Sequence, residues 1–147
     1  MPAPQVLIDS VGDWKGTSTL HCDWPPGNVV IAPGPSTIRV ELINSEIALV
    51  TYEWEYEGKT ERGVLIAAQR EDKTTFGWSD SWHQNSEVMH LVGSNADCKG
   101  SYQVGDYPEW FWRIAFSRDG ETFKMEMFNI SPEGEEDWAV RAEYTRT

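Results

Sequence analysis

The residues with the widest chemical range stand together in Trp78-Ser79-Asp80-Ser81-Trp82-His83. Serine, aspartate and histidine are the parts of an acyl-transfer triad. A triad must converge on one point, however, and neighbours on an extended strand point to opposite faces. No G-x-S-x-G elbow is present, so serine hydrolysis is not expected. Asp80 is the more informative residue. On a strand it shares a face with Phe76 and Trp78, and a carboxylate among aromatic rings must be paired or hydrogen-bonded, because burying it bare is costly. One reading makes it an anchor for a ligand's polar group, or a general acid/base of raised pKa. The other makes it a strand-end carboxylate accepting N–H bonds from the Ser81-Trp82-His83 turn. His83, between Trp82 and Gln84, is the histidine best placed to touch a ligand; the alternative is a solvated loop side chain. Asp80 and His83 are thus the candidates for proton transfer.

Other chemistries find less support. His21, His83 and His90 lie on separate segments with no H-x-H or C-x-x-C spacing, so no metal site is expected. Arg113 falls on the outward parity of its strand; turned inward, it would partner Asp80 or an anionic ligand. The acidic run from Glu133 to Asp137 reads as a solvated turn, since its oxygens lack calcium-loop spacing.

The elements that must position these residues are strands. Only Gln5-Val6-Leu7-Ile8-Asp9-Ser10-Val11 can make a helical turn, and it is too short to be more than a plug. Beyond Trp14, alternation of period two takes over, broken by turn residues about every ten positions. Strands are predicted over 14–22, 36–43, 47–56, 62–70, 74–81, 86–92, 97–104, 109–117, 122–130 and 138–146. Ten strands without intervening helices predict an all-β fold, a single antiparallel up-and-down barrel spanning residues 1–147. Alternate links then lie at the same end. The set after strands one, three, five, seven and nine is long and rich in aromatics or prolines; it includes Asp23 to Pro35, Glu57-Gly58-Lys59-Thr60 and Gly105-Asp106-Tyr107-Pro108. The other set is compact and polar. One end is therefore expected closed and the other open, with Trp24, Trp82, His83, Tyr107 and Trp138 on its rim.

Parity also predicts the lining. Val50, Tyr52, Trp54 and Tyr56 should face inward, as should Phe76, Trp78 and Asp80. Cys98, Gly100 and Tyr102 follow, then Trp110, Trp112, Ile114 and Phe116, then Phe123, Met125, Met127 and Asn129. Trp138, Val140, Ala142, Tyr144 and Arg146 complete the set. The strand at 86–92 is ambiguous between Met89/Leu91 and Val88/His90/Val92. Such a lining suits either a filled core or a pocket for an apolar or aromatic ligand.

Composition narrows the partners. Eight Trp, five Tyr and five Phe are a heavy aromatic load, and twelve basic against twenty-four acidic side chains give a net charge of −12. That balance argues against nucleic acid and anionic membrane surfaces. No apolar run approaches the ~20 residues of a membrane span. Met1-Pro2-Ala3-Pro4-Gln5 has neither the basic nor the apolar segment of a secretory signal, so the expected compartment is the cytoplasm, with Cys22 and Cys98 as free thiols.

Gly12-Asp13-Trp14 is the G-x-W signature with which the first strand of lipocalins begins, and here it follows a short N-terminal turn. In lipocalins that tryptophan packs against a basic side chain from the end of the barrel. The resemblance assigns the pair to Trp14 and Arg146, with Arg141 as the substitute. Within the superfamily the chain resembles the bacterial lipocalin-like domains of the DUF1579 type, through Gly12-Asp13-Trp14-Lys15-Gly16, Glu61-Arg62-Gly63-Val64-Leu65, Phe76-Gly77-Trp78-Ser79-Asp80-Ser81, Phe123-Lys124-Met125-Glu126-Met127 and Ala142-Glu143-Tyr144-Thr145-Arg146. The resemblance implies a calycin-like barrel and brings no substrate with it. A relative, the haem-binding nitrobindin type, shares the G-x-W-x-G start but takes its proximal histidine near the C-terminus. This chain has none after His90, so haem is not expected, nor any other cofactor.

The leading expectation is a barrel that binds a small apolar or aromatic molecule. The ligand would rest against Trp54, Tyr56, Trp78, Trp82, Trp110, Trp112, Met127 and Trp138, with Asp80, Tyr102 and Asn129 supplying polar contacts and Asp23 to Pro35 as a lid. The alternative is a barrel enzyme, a cyclase, isomerase or decarboxylase using the inward carboxylate or His83 for proton transfer. A third class is an interaction module working through the outer face.

Overall fold

The alternating stretches fold as ten strands after one helical turn, α1 (Gln5–Ile8). In chain order they are β1 (Gly12–Cys22), β2 (Val29–Ile43), β3 (Ile47–Tyr56), β4 (Lys59–Arg70), β5 (Lys73–Asp80), β6 (Met89–Ser94), β7 (Asp97–Tyr102), β8 (Trp110–Asp119), β9 (Thr122–Ile130) and β10 (Glu136–Arg146). The structure, a computed structural model, describes residues 3–22, 29–84, 87–103 and 105–147. Every strand pairs antiparallel with its neighbours in sequence, and β1 pairs with β10 to close the ring. Closure satisfies both edges of every strand, which an open meander cannot do. Among the described residues no helix is long and apolar enough to cross a membrane.

Parity holds for most of the lining. Tyr52 and Trp54, Phe76 and Trp78, Ile114 and Phe116, and Phe123, Met125 and Met127 all point into a continuous core. The ambiguous strand resolves to Met89 and Leu91 inside, leaving Val88 exposed.

Three expectations are corrected. First, β2 begins at Val29, so the latter part of the expected lid, including Pro33 and Pro35, is strand. It tolerates Pro33 because the β1–β2 register slips between Ser18↔Gly34 and Leu20↔Ile31, and a bulge does not need every N–H. The remainder of that loop, with Trp24, lies outside the described residues. Second, the β3–β4 link is no large mouth loop but a two-residue turn. Glu57 and Gly58 have φ of 50° and 77°, the pair of positive values a type I′ hairpin needs. Third, β10 carries a bulge: Trp138 pairs with Phe128 and Val140 with Met127, so Ala139 is the extra residue. One extra residue reverses parity, and Trp138 lies on the outer face, stacked on His21 at 4.9 Å and beneath Arg141 at 4.3 Å. Arg141 is therefore engaged with Trp138 and is no substitute at Trp14.

The closed end is built on Trp14. Its indole N–H donates to the Ser10 carbonyl at 2.8 Å. The Arg146 guanidinium lies over its ring at 4.3 Å and Arg118 at 5.0 Å. Arg146 also donates to the Val11 and Asp9 carbonyls, and Arg118 to that of Asp9, so two arginines tie α1 to the barrel floor. Arg146 is the partner the lipocalin resemblance implies; Arg118 is an addition. Cys98 is a free, buried thiol.

Among the described residues the interior is largely filled. The void beneath the mouth, about 10 Å³, is bordered by Leu20, Trp54, Asp80, His83 and Met127 among others. That is room for about one water. Larger concavities, of about 820 and 500 Å³, are open grooves on the outer surface, lined chiefly by outward residues such as Thr37, Arg39, Glu53 and Thr60.

Candidate functional site at the barrel mouth

The open end is organised by the last residue of β5. Asp80 faces inward with its side chain only 1% exposed. Its Oδ1 accepts the backbone N–H of His83 at 2.6 Å and of Gln84 at 2.7 Å, and its Oδ2 bonds His83 Nδ1 at 2.6 Å. This is the strand-end reading of Asp80, and it has a consequence for the turn that follows. The carboxylate folds the Ser81–Gln84 turn back over the mouth and sets the His83 imidazole inside it, its side chain 15% exposed. The ring is surrounded by four indoles: Trp82 at 4.6 Å between centroids, Trp112 at 5.1 Å, Trp78 at 5.9 Å and Trp54 at 6.4 Å. With an ionised carboxylate as acceptor, Nδ1 is the donor of this bond, and in the neutral imidazole Nε2 is the lone-pair acceptor.

A second inward carboxylate fixes the turn's other side. Glu61, 3% exposed, accepts a hydrogen bond from the Ser81 hydroxyl, and Lys59 Nζ lies 3.4 Å from it. Ser81 also exchanges bonds with the Arg62 backbone, its N–H donating to the carbonyl at 2.8 Å and its Oγ accepting the N–H at 2.9 Å. Sequence reasoning missed Glu61 because that strand was expected to begin at 62. The signal was present, since Glu61 shares parity with the buried Leu65 and with Gly63.

Below the turn, the Trp78 indole donates to Tyr52 Oη at 2.8 Å. Tyr52 lies against Gly63, its register partner; a Cβ there would fall 2.0 Å from Tyr52 Cζ, so only glycine admits the ring. Burial, and next the charge of Asp80, push the Tyr52 hydroxyl pKa well up, so it stays protonated. Trp112 stacks on Trp78 at 5.7 Å with the planes 6° apart. It is 6% exposed, and its Nε1 is the one buried side-chain polar atom among the described residues without a hydrogen-bond partner.

The remaining candidates divide by place. Trp54, Tyr56 and Trp82 form one aromatic cluster with centroids 5.4–6.1 Å apart. Met127 borders the void. Tyr102 donates to Asn129 Oδ1 at 2.6 Å, so these two satisfy one another beside Trp112. Trp110 stands at the start of β8, 37% exposed, and Tyr107 is 70% exposed. Trp138 is outside, as described. Arg113 is also outside: it makes a two-pronged bond to Asp97 at 2.7 and 2.8 Å, reaches Glu136 at 2.8 Å and covers Phe128. It partners neither Asp80 nor an interior anion. The described residues contain no cluster of three or more side chains suited to a metal.

The mouth therefore gathers an aromatic box, a carboxylate-oriented imidazole and an unused indole donor. No protein-family model and no curated protein matches the chain.

Proposed function

We propose that the protein binds a small apolar or aromatic molecule at the barrel mouth, against Trp54, Trp78, Trp82 and Trp112. The observation that carries the reading is the orphaned Trp112 N–H. A buried donor without an acceptor costs about 1–3 kcal/mol, and a ligand acceptor would recover it. With only a small void beneath the mouth, the ligand takes up volume now occupied by side chains there, among them half-buried Trp82. The lipocalin-like resemblance, with its barrel and its Trp14–Arg146 contact, agrees with a binding role, and the buried free thiol of Cys98 suits the cytoplasm.

A barrel enzyme is the second reading, favoured by the Asp80–His83 pair. A carboxylate that fixes the imidazole tautomer leaves Nε2 positioned as a general base.

Titration of intrinsic tryptophan fluorescence with a panel of aromatic and apolar probes tests both readings. A saturable change is expected, and a flat response across the panel removes both. Asp80→Asn then separates them, since lost turnover with retained binding marks an enzyme.

A further inference from the structure

We infer that the aromatic molecule bound at the mouth carries a ring hydroxyl, a phenol or enol, held at once by His83 and Trp112. The inference rests on the binding reading above and names the chemistry of its ligand. The Asp80 carboxylate accepts the Nδ1–H of His83, so in the neutral imidazole Nε2 offers a lone pair and seeks a donor. Trp112 Nε1 offers a proton and seeks an acceptor. These are opposite requirements on two rings whose centroids lie 5.1 Å apart. A hydroxyl oxygen meets both, giving its proton to Nε2 and its lone pair to the indole N–H, at ordinary hydrogen-bond distances of about 2.7–3.2 Å.

Other ligand classes fail one of the two requirements. A carboxylate accepts but has no proton for Nε2, and it would meet Asp80 and Glu61, both buried at the mouth of a chain of net charge −12. An ammonium suits the indole faces and the charge but has no lone pair for Trp112. An aryl ether accepts and cannot donate. Unsubstituted hydrocarbons do neither. A neutral aromatic hydroxyl is the group that completes the pair.

Calorimetric titration at pH 7 with 1-naphthol, 1-methoxynaphthalene and naphthalene tests the assignment. The naphthol should bind at least about tenfold more tightly than the methyl ether, because a site built to hydrogen-bond a hydroxyl discriminates strongly against an analogue lacking it. Two variants locate the preference. Asp80→Asn removes the carboxylate that fixes the tautomer and should collapse the naphthol-to-ether ratio toward one. Trp112→Phe keeps a ring but removes the donor, and should weaken naphthol and ether alike while leaving naphthalene nearly unchanged. Near-UV circular dichroism verifies that each variant is folded; the wild-type series decides the question even if one is not. Equal binding of all three probes overturns the hydroxyl assignment and leaves mouth binding standing. Binding of none overturns mouth binding itself.

Discussion

Asp80 holds the turn that follows β5, because one carboxylate accepts from two backbone N–H groups and an imidazole. Asp80→Ala strands all three donors and is expected to lower stability by about 2–4 kcal/mol, read from the urea midpoint. Asp80→Asn keeps an acceptor oxygen for the backbone and should cost about half as much on the same grounds. A change within 0.5 kcal/mol for the alanine variant, as expected of a surface substitution, would contradict this role for the carboxylate. A second residue-level prediction concerns alkaline pH. Burial raises the Cys98 thiol from 9.0 to about 12, and it also raises the Tyr52, Tyr102 and Tyr144 hydroxyls. All these groups are held neutral in the fold and ionise more readily once unfolded. Their stabilisation is complete below the unfolded values, so the urea midpoint should be level to about pH 9 and fall from there toward about pH 12. A midpoint unchanged between pH 8 and pH 11 would contradict the burial of these groups. At this scale the sequence was legible where one side chain announced itself. Asp80 inside could be read from parity, and the lipocalin resemblance implied Trp14 under Arg146. The second arginine at Trp14 could not, because Arg118 reaches the floor from β8 by a pairing order no local pattern encodes.

At the scale of elements, period-two alternation specified nearly every strand and its inner face, since a buried face leaves a one-residue signature. It failed where a strand broke its own period. The bulge at Ala139 turned Trp138 out, and nothing in Trp138-Ala139-Val140 marks the slip, which is set by pairing with β9. The prolines of β2 hid seven residues of strand for the same reason: Pro33 is tolerated only because the register slips beside it. The β4–β3 pair supplies a sharp test of how elements shape the site. Gly63→Ala would drive a methyl group into the Tyr52 ring, displacing the hydroxyl that accepts from Trp78. The expected loss is about 1–3 kcal/mol, with a changed near-UV spectrum from the tryptophan cluster. Gly77→Ala on the adjacent strand has open space at its Cβ and serves as the control. If the two variants prove equally stable, Tyr52 does not rest on Gly63 as described.

Across the whole molecule, the two ends of the barrel do different work. The floor is a fixed joint, with α1, Trp14, Arg118 and Arg146 linked by four side-chain hydrogen bonds to backbone carbonyls at 2.8–3.0 Å. The mouth is a box of aromatic rings closed by a turn that two carboxylates hold down. The sequence made this asymmetry visible through the alternation of link lengths, yet it could not show whether the interior was hollow. Volume depends on how large side chains interlock across the barrel, and here, among the described residues, Tyr52, Trp54, Met125 and Met127 border a void with space for about one water. The central claim, that ligands enter at the mouth and engage Trp112, is tested most directly by heteronuclear NMR of the indole N–H groups during titration with 1-naphthol. The account predicts a saturable shift of the Trp112 resonance, accompanied by those of Trp54, Trp78 and Trp82, while Trp14 at the floor and Trp138 on the outer face stay still. Shifts confined to Trp14 or Trp138, or no movement of Trp112 at saturation, would contradict it.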